Sequence, residues 1–182
     1  LQDQNTISEI VALESGKTIA EARAGLMKGV EVLEYALSLQ NADLGGKMEV
    51  SRGVHCEYRR EALGVVASIT PFNFPAMVPM WTIPIAIALG NAYVWKPSEK
   101  TPLTSKYIAD SFAKAGLPAG ILTVVQGTTE AASNIIKHKD VAAIAFVGSS
   151  KVANLVYTSA TSLGKRALCL GGAKNHIVLL PD

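Results

Sequence analysis

The sequence lacks the features that mark several common protein classes. It has only two cysteines, Cys56 and Cys169, among 182 residues, too few for a disulfide scaffold or a four-cysteine zinc site. Its 17 basic and 15 acidic residues leave a formal net charge of +2, which indicates neither nucleic acid nor acidic lipid as a partner. Hydrophobic residues at 49% and charged residues at 18% exclude a disordered chain. Since domains usually have about 100–200 residues, we expect one domain, or one with an appendage.

No targeting signal is visible in the given residues, and their one long apolar run is a poor candidate for a membrane span. No basic segment followed by a cleavable apolar stretch opens the sequence. The apolar run over residues 74–89 is short for a membrane span and contains three prolines, so we interpret it as a buried, kinked helix. From the composition and the two cysteines we expect a soluble intracellular protein, and the choice between cytoplasm and mitochondrial matrix stays open.

The N-terminal part of the sequence predicts a long helix followed by a hairpin. Apolar residues repeat at helical spacing over 19–39, and Thr18 with Glu21 three residues later forms a capping-box pattern at the start. After Gly45-Gly46, apolar and polar residues alternate over 54–59. This alternation predicts a strand that pairs with residues 47–51 across a tight turn, as an antiparallel hairpin.

From residue 63 onward, short apolar runs alternate with segments of helical length. Strands are predicted at 64–69, 92–95, 122–125, 142–147 and 177–180, with a weaker candidate at 167–170. Helices are predicted at 76–89, 104–115, 130–137 and 150–163. This alternation indicates an α/β fold whose parallel sheet is covered on both faces. Because ligands of such sheets bind at the carboxyl ends of the strands, the residues after each run are the candidates for function.

Three strand ends carry polar groups that suit three different parts of a ligand. Asn73 lies between Pro71 and Pro75, where its amide could donate to an anion, although an asparagine that satisfies its own turn is the alternative. Lys96 and Glu99 suit a ribose diol, although a solvated loop of mixed charge is equally possible from the residues alone.

The third strand end is a small-residue turn that leads into a helix. Residues 148–150 offer backbone N–H groups at a helix N-terminus, a site for phosphate, with an ordinary serine N-cap as the alternative. Each site alone could have the structural explanation given above, but three such sites at separate strand ends together favour a function in ligand binding.

Other signals are negative. The GxGxxG and GxxxxGK[ST] patterns are absent, and the three histidines have no metal-ligand spacing, so we predict no metal site. Cys169 lies within an apolar run and is interpreted as a small buried hydrophobe.

Residues 69–75, 95–99 and 145–149 resemble the aldehyde dehydrogenase superfamily, in order and spacing. Residues 75–81 and 172–176 are most similar to its CoA-acylating branch, the methylmalonate-semialdehyde dehydrogenases. The similarity covers all 182 residues but only about a third of the family's usual chain, so we expect a partial chain, cut at both Leu1 and Asp182.

The resemblance implies a Rossmann-like dinucleotide-binding domain with NAD as the cofactor. The cofactor-binding residues it implies are Thr70, Phe72, Lys96, Glu99, Lys100, Ser149 and Gly171. Lys96 and Glu99 would hold the adenosine ribose, Ser149 the pyrophosphate, and Gly171 would lie near the nicotinamide. The carboxylate of Glu99 would repel a 2′-phosphate, which favours NAD over NADP.

Catalysis and domain organisation are implied in the same way. Asn73 would supply the side-chain amide of an oxyanion hole. Residues 1–46 would be helices that pack on the cofactor domain, 47–60 an oligomerisation hairpin of a homo-oligomer, and 61–182 the NAD-binding domain, with the catalytic domain absent. Because a two-stranded hairpin without further strands is only marginally stable, we expect the isolated chain to be poorly stable.

Three departures from the family pattern bear on the reaction. The family's nucleophilic cysteine would lie beyond Asp182, so the chain alone should be inactive. Leu170 stands where water-using members have a glutamate base; a CoA thiol with a pKa of about 8.5 ionises without the base that water, at about 15.7, requires. Lys28 stands where an arginine would clamp the substrate carboxylate, and lysine keeps the charge but loses the bidentate fork.

We therefore expect NAD-dependent oxidation of an aldehyde, a semialdehyde first of all, to an acyl-CoA, with coenzyme A as the acyl acceptor. A water-using aldehyde dehydrogenase is the first alternative. A non-catalytic dinucleotide-binding or structural module is the alternative from another class.

Overall fold

The computed structural model describes residues 2–42 and 45–181 of the chain. Leu1 and Asp182, on which the expectation of a chain cut at both ends depends, lie outside the described residues, as do Asp43 and Leu44 within the expected range 1–46.

Two helices open the described chain. Helix α1 (Gln4–Ser15) ends at Gly16, whose φ of 71° is the left-handed conformation that glycine adopts without a steric penalty. Helix α2 (Ile19–Ser38) begins with the predicted capping box, because Thr18 accepts from the Glu21 main chain while the Glu21 carboxylate accepts from Thr18. Helix α1 packs on α2, and a single 3-10 turn, Leu39–Asn41, follows α2.

The predicted hairpin is confirmed as a separate two-stranded antiparallel sheet. Strands β1 (Gly45–Ser51) and β2 (Val54–Arg59) pair with Met48 opposite Cys56, and a bulge lies next to the turn. Apolar side chains on both strands are exposed, including that of Met48 at 63%. The hairpin therefore does not contribute to the core.

A five-stranded parallel sheet forms the centre of the fold. Its strands are β3 (Val65–Ile69), β4 (Ala92–Lys96), β5 (Leu122–Val124), β6 (Val141–Val147) and β7 (Arg166–Leu170). Their order is β5-β4-β3-β6-β7, with parallel pairing throughout. The chain runs outward from β3 in one direction and then returns to continue on the other side, so a topological switch point lies between β3 and β6. The predicted α/β fold with a parallel sheet is confirmed.

The sheet is packed on both faces. Val66 and Trp95 belong to one core cluster, with helices α1, α2 and α5 (Pro102–Lys114), whereas Ile69 and Phe146 belong to a second, with α6 (Thr129–Lys137) and α7 (Ser150–Ser162). Trp95 is fully buried. Burial of one large apolar side chain contributes about 1.5–3 kcal/mol to stability. Because side chains on both faces of the sheet are buried in this way, the strands are apolar at nearly every position.

The structure departs from two sequence predictions. The helix expected over 76–89 is divided into α3 (Met77–Met80) and α4 (Ile83–Ala88), because Pro84 has no N–H to continue the hydrogen-bond ladder from α3. The strand expected at 177–180 is wrong: these side chains are 72–87% exposed, and residues 171–181 have no regular structure. An apolar run forms a strand only where a neighbour supplies hydrogen bonds and cover, and the described residues supply neither here.

None of the helices in the described ranges is both long and apolar enough to cross a membrane.

Candidate functional site

The strand ends that carry the predicted site residues meet at one edge of the sheet. Ile69 at the end of β3 lies level with Lys96 of β4 on one side and with Phe146 of β6 on the other. Phe146 in turn lies level with Cys169 of β7. The loops after β3, β4, β6 and β7 therefore leave the sheet side by side, around the switch point, where ligands of such folds bind.

Thr70 connects two of these loops. Its main-chain N–H donates to the Lys96 carbonyl at 3.1 Å, and its hydroxyl accepts from the Trp95 indole Nε1 at 2.8 Å. The side chains of Thr70 and Trp95 are both buried. Sequence reasoning missed the role of Trp95, although a buried indole N–H generally requires an acceptor. The hydroxyl of Thr70 thus has a structural partner and keeps its own proton to donate.

Asn73 lies at the tip of the loop after β3. Its side chain is exposed and has no hydrogen-bond partner among the described residues, so its NH2 group is available to a ligand. The main chain beside it is held instead: the Lys17 ammonium donates to the Asn73 carbonyl oxygen and lies 3.5 Å from the centroid of the Phe74 ring. Sequence reasoning missed Lys17, because nothing in the pattern relates residue 17 to residue 73.

The loop after β4 holds an ion pair of unequal exposure. The side chain of Lys96 is 6% exposed, its Nζ lies 3.2 Å from Glu99 Oε2, and the Glu99 side chain is 54% exposed. A hydrogen bond from the main chain and then one from Lys96 lower the pKa of Glu99, so its carboxylate is ionised at neutral pH. Lys100 places its ammonium 4.4 Å from the centroid of the Phe72 ring, which links this loop to the one after β3.

The turn between β6 and α7 is closely packed against the residues after β7. Ser149 is the exposed N-cap of α7, and its side chain makes no capping bond. Ser150 Oγ instead accepts from the Gly172 N–H at 2.9 Å. A Cβ on Gly171 would lie 3.0 Å from Ser150 Oγ, and one on Gly148 would lie 2.6 Å from the Phe146 ring. The backbone is therefore close to the first turn of α7, where N–H groups favour an anion.

Lys28 is not at this edge. It lies on α2, where its ammonium contacts both carboxylate oxygens of Glu31 at 2.9 Å, and both side chains are largely exposed. Helix α2 itself adjoins the Asn73 loop, because a Cβ on Gly25 would lie 3.6 Å from the Phe74 ring. Lys28 is thus one helical turn beyond that contact.

Neither cysteine has the surroundings of a nucleophile. Cys56 is exposed on β2 of the separate two-stranded sheet, and Cys169 lies within β7, where burial raises the pKa of its thiol. Leu170, the last residue of β7, is exposed and offers no base. Within residues 2–42 and 45–181, no group of three or more His, Cys, Asp or Glu side chains could hold a metal ion.

Comparison with known proteins gives a consistent result. Residues 1–182 match the model of the family described as "Aldehyde dehydrogenase family". Malonate-semialdehyde dehydrogenase 2 of Geobacillus thermodenitrificans is 45% identical over 177 residues, which are 97% of this chain and 37% of that protein. Malonate-semialdehyde dehydrogenase of Bacillus cytotoxicus is 43% identical over 182 residues, which are 100% of this chain and again 37% of the relative.

A solved structure shares the same fold. The putative methylmalonate-semialdehyde dehydrogenase from Sinorhizobium meliloti, complexed with NAD, superimposes with a TM-score of 0.95 at 43% identity. The superposition covers 100% of this chain and 37% of the chain of that protein. The chain thus spans about 37% of the length of these relatives.

Proposed function

Because this chain belongs to the aldehyde dehydrogenase family, we propose that it is the NAD-binding part of an enzyme that oxidises an aldehyde to an acyl-CoA. The family expected from the strand-end motifs is confirmed. The activity, substrate and partners of the whole enzyme belong to the proposal, since the chain spans 37% of its relatives' length.

The observation that carries the proposal is the meeting of three polar groups at one sheet edge. Three groups follow neighbouring strands around the switch point: the Asn73 amide, which has no partner among residues 2–42 and 45–181, the ion pair between Lys96 and Glu99, and the N-terminus of α7 at Ser149. A metal site, a nucleic-acid surface or a membrane anchor would need other groups.

The donors and acceptors at this edge fit a dinucleotide. The Lys96 ammonium can donate to a ribose diol while the ionised Glu99 carboxylate accepts from it, and the same carboxylate would repel a 2′-phosphate. Backbone N–H groups at the start of α7 and the Ser149 hydroxyl fit a pyrophosphate. Gly171 lets the chain pass close to Ser150 at the start of α7, and the family resemblance puts it beside the nicotinamide. Thr70, Phe72 and Lys100 would line the path between these sites.

Asn73 would act on the substrate. When bound, NAD supplies the acceptor for the hydride that leaves the aldehyde carbon. A cysteine thiolate other than those of Cys56 and Cys169 forms a bond to that carbon, and the carbonyl oxygen becomes an oxyanion. The Asn73 NH2 would donate to this oxyanion, and hydride loss would leave an enzyme thioester. Loss of one such donor typically lowers the rate about 10²- to 10³-fold.

A thiol acceptor is favoured for the second half of the reaction. Leu170 occupies the end of β7, where the family resemblance places a glutamate base in water-using enzymes. A CoA thiolate would form a bond to the thioester carbon and release the enzyme thiolate, without a general base to activate water. The relatives named malonate- and methylmalonate-semialdehyde dehydrogenase support a semialdehyde substrate, whose carboxylate Lys28 would attract from α2.

The hairpin supports assembly with a second copy of the enzyme. Its apolar side chains, among them Met48, Val50, Val54 and Tyr58, are exposed in the single chain. Two-stranded ribbons are marginal alone, so a partner surface would explain this composition.

The experiment replaces Asn73 by alanine in the full-length enzyme that contains this chain. We expect single-turnover NADH formation to fall about 10²- to 10³-fold with little change in NAD affinity. Asn134→Ala, an exposed asparagine on α6, is the matched control and should leave the rate unchanged. An unchanged rate in Asn73→Ala would refute the oxyanion assignment.

Product analysis with and without CoA tests the acceptor. Acyl-CoA formation is expected, whereas release of free acid independent of CoA would favour the water-using alternative. Absence of NADH formation under any condition would favour a non-catalytic module.

A further inference from the structure

Lys17 has a main-chain position that is fixed from both sides. It lies in the turn between α1 and α2, directly after Gly16, which ends α1 in the left-handed conformation. It directly precedes Thr18, whose capping box with Glu21 begins α2. The side chain of Lys17 therefore starts from a rigid turn rather than from a flexible loop.

The ammonium of Lys17 engages two consecutive residues of the loop after β3. It donates to the main-chain carbonyl oxygen of Asn73, 56 residues further along the chain. It also lies 3.5 Å from the centroid of the Phe74 ring, within the range of a cation–π interaction. One side chain thus holds the peptide group that follows Asn73 and the ring next to it.

The Phe74 ring is held by α2 as well. A Cβ on Gly25 would lie in van der Waals contact with this ring, at 3.6 Å. The next residues, Pro75 and Ala76, are buried. The ring is therefore confined by the Lys17 ammonium and by the α2 backbone, and the loop follows it into the core.

The cation is partly removed from water. Burial lowers the pKa of Lys17, and the charge of Glu21 opposes this shift. A partly desolvated ammonium interacts more strongly with a carbonyl dipole than a solvated one does.

An oxyanion donor needs this kind of support. A catalytic group must be held within about 0.5 Å of its productive position, usually by neighbours that lock it. The Asn73 side chain is exposed and has no partner among the described residues. Within the described residues its orientation is therefore set through the main chain, which the Lys17 ammonium contacts at the Asn73 carbonyl oxygen.

We propose that Lys17 is a positioning residue that orients the Asn73 amide toward the reacting carbonyl by clamping the Asn73 carbonyl oxygen and the Phe74 ring. This inference rests on the proposed function of Asn73. In this role Lys17 acts through Asn73 rather than on the substrate, by fixing the direction in which the Asn73 NH2 group points.

The test uses the full-length enzyme and the variant Lys17→Met, which keeps an unbranched side chain and removes the ammonium. We expect single-turnover NADH formation to fall about 10- to 100-fold, because misplacement of a catalytic group costs part of what its removal costs. The aldehyde KM and the NAD affinity should change by less than about twofold. Lys17→Arg, which keeps the charge and a donor, should recover most of the rate.

Lys106→Met is the matched control, since Lys106 is an exposed, ion-paired lysine on α5, and its rate should equal that of the wild type. A double-mutant cycle with Asn73→Ala supplies the decisive readout. If Lys17 acts through Asn73, Lys17→Met lowers the rate no further once Asn73 is alanine. Additive losses would overturn the proposal.

The cycle also separates this inference from the function on which it rests. An unchanged rate in Asn73→Ala refutes the oxyanion role itself. A reduced rate in Asn73→Ala together with an unchanged rate in Lys17→Met refutes only the positioning role. If Lys17→Met does not fold, Phe74→Leu removes the ring and keeps Lys17, and an unchanged rate in that variant overturns the clamp.

Discussion

Glu14 on α1 caps the N-terminus of α5, and its replacement should destabilise that helix. Helix α5 begins at Pro102, and the side chain of Thr101 makes no capping bond. The Glu14 carboxylate takes the place of a local cap: Oε1 accepts from the Leu103 N–H at 2.6 Å, and Oε2 accepts from the Thr104 N–H at 2.8 Å and from the Thr104 hydroxyl at 2.6 Å. Thr104 is fully buried.

The size of the effect follows from these three hydrogen bonds. Glu14→Ala leaves two backbone N–H groups and one buried hydroxyl without a partner. Loss of a helix cap costs about 0.5–2 kcal/mol, and a buried polar group left unpaired costs about 1–3 kcal/mol. Water can reach the exposed Leu103, so the losses overlap, and we expect about 2–3 kcal/mol. Glu14→Gln keeps one carbonyl acceptor but loses the negative charge at the N-terminus of the helix dipole, so we expect a loss of stability of about 1 kcal/mol.

Hydrogen exchange of α5 in the full-length protein measures this loss locally. At about 2 kcal/mol, exchange over residues 105–112 should accelerate about 30-fold in Glu14→Ala. Glu9→Ala removes an exposed glutamate from the same helix and serves as the control. The capping role of Glu14 is refuted if α5 exchanges no faster in Glu14→Ala than in Glu9→Ala, or if Glu14→Gln accelerates exchange as much as Glu14→Ala does.

Three further predictions concern the strand-end site. Glu99→Gln should weaken NAD binding, as measured by calorimetry at pH 7; because the pKa of Glu99 is lowered, the carboxylate stays ionised below its ordinary pKa, and its contribution to binding is lost only as the pH falls through the lowered value. Equal dissociation constants at pH 7 would contradict this. Gly171→Ala forces a Cβ to 3.0 Å from Ser150 Oγ and should cost about 1–3 kcal/mol, seen as a lower melting temperature, whereas a wild-type melting temperature would show that the turn yields freely. Thr70→Val leaves the buried Trp95 indole N–H without its acceptor and should cost about 1–3 kcal/mol in urea unfolding, while Thr70→Ser should be near wild type; similar losses in both variants would argue against the hydrogen bond.

Local patterns were sufficient for most of the fold. The capping box at Thr18 and Glu21, the hairpin, and the alternation of apolar strands with helices all depend on residues close in sequence, and each is present. The predicted strand at 177–180 failed because an apolar run specifies burial but does not supply the neighbour that a strand requires. The kinked helix expected over 76–89 is instead two short helices, α3 and α4, because Pro84 in the first turn of α4 has no N–H to donate to the end of α3.

The sequence by itself determined the fold class, the family and the side chains that follow each strand, since the carboxyl ends of parallel strands meet at one edge whatever the details of packing. Only the tertiary structure decided which residues distant in sequence make hydrogen bonds with each other. Lys17 and Asn73 are 56 residues apart, and Glu14 and Thr104 are 90 apart. Periodicity reports which face of an element is buried, but it carries no information on which surface groups of two packed elements come within hydrogen-bond distance. The supports of the candidate site are therefore visible only once the helices lie against the sheet.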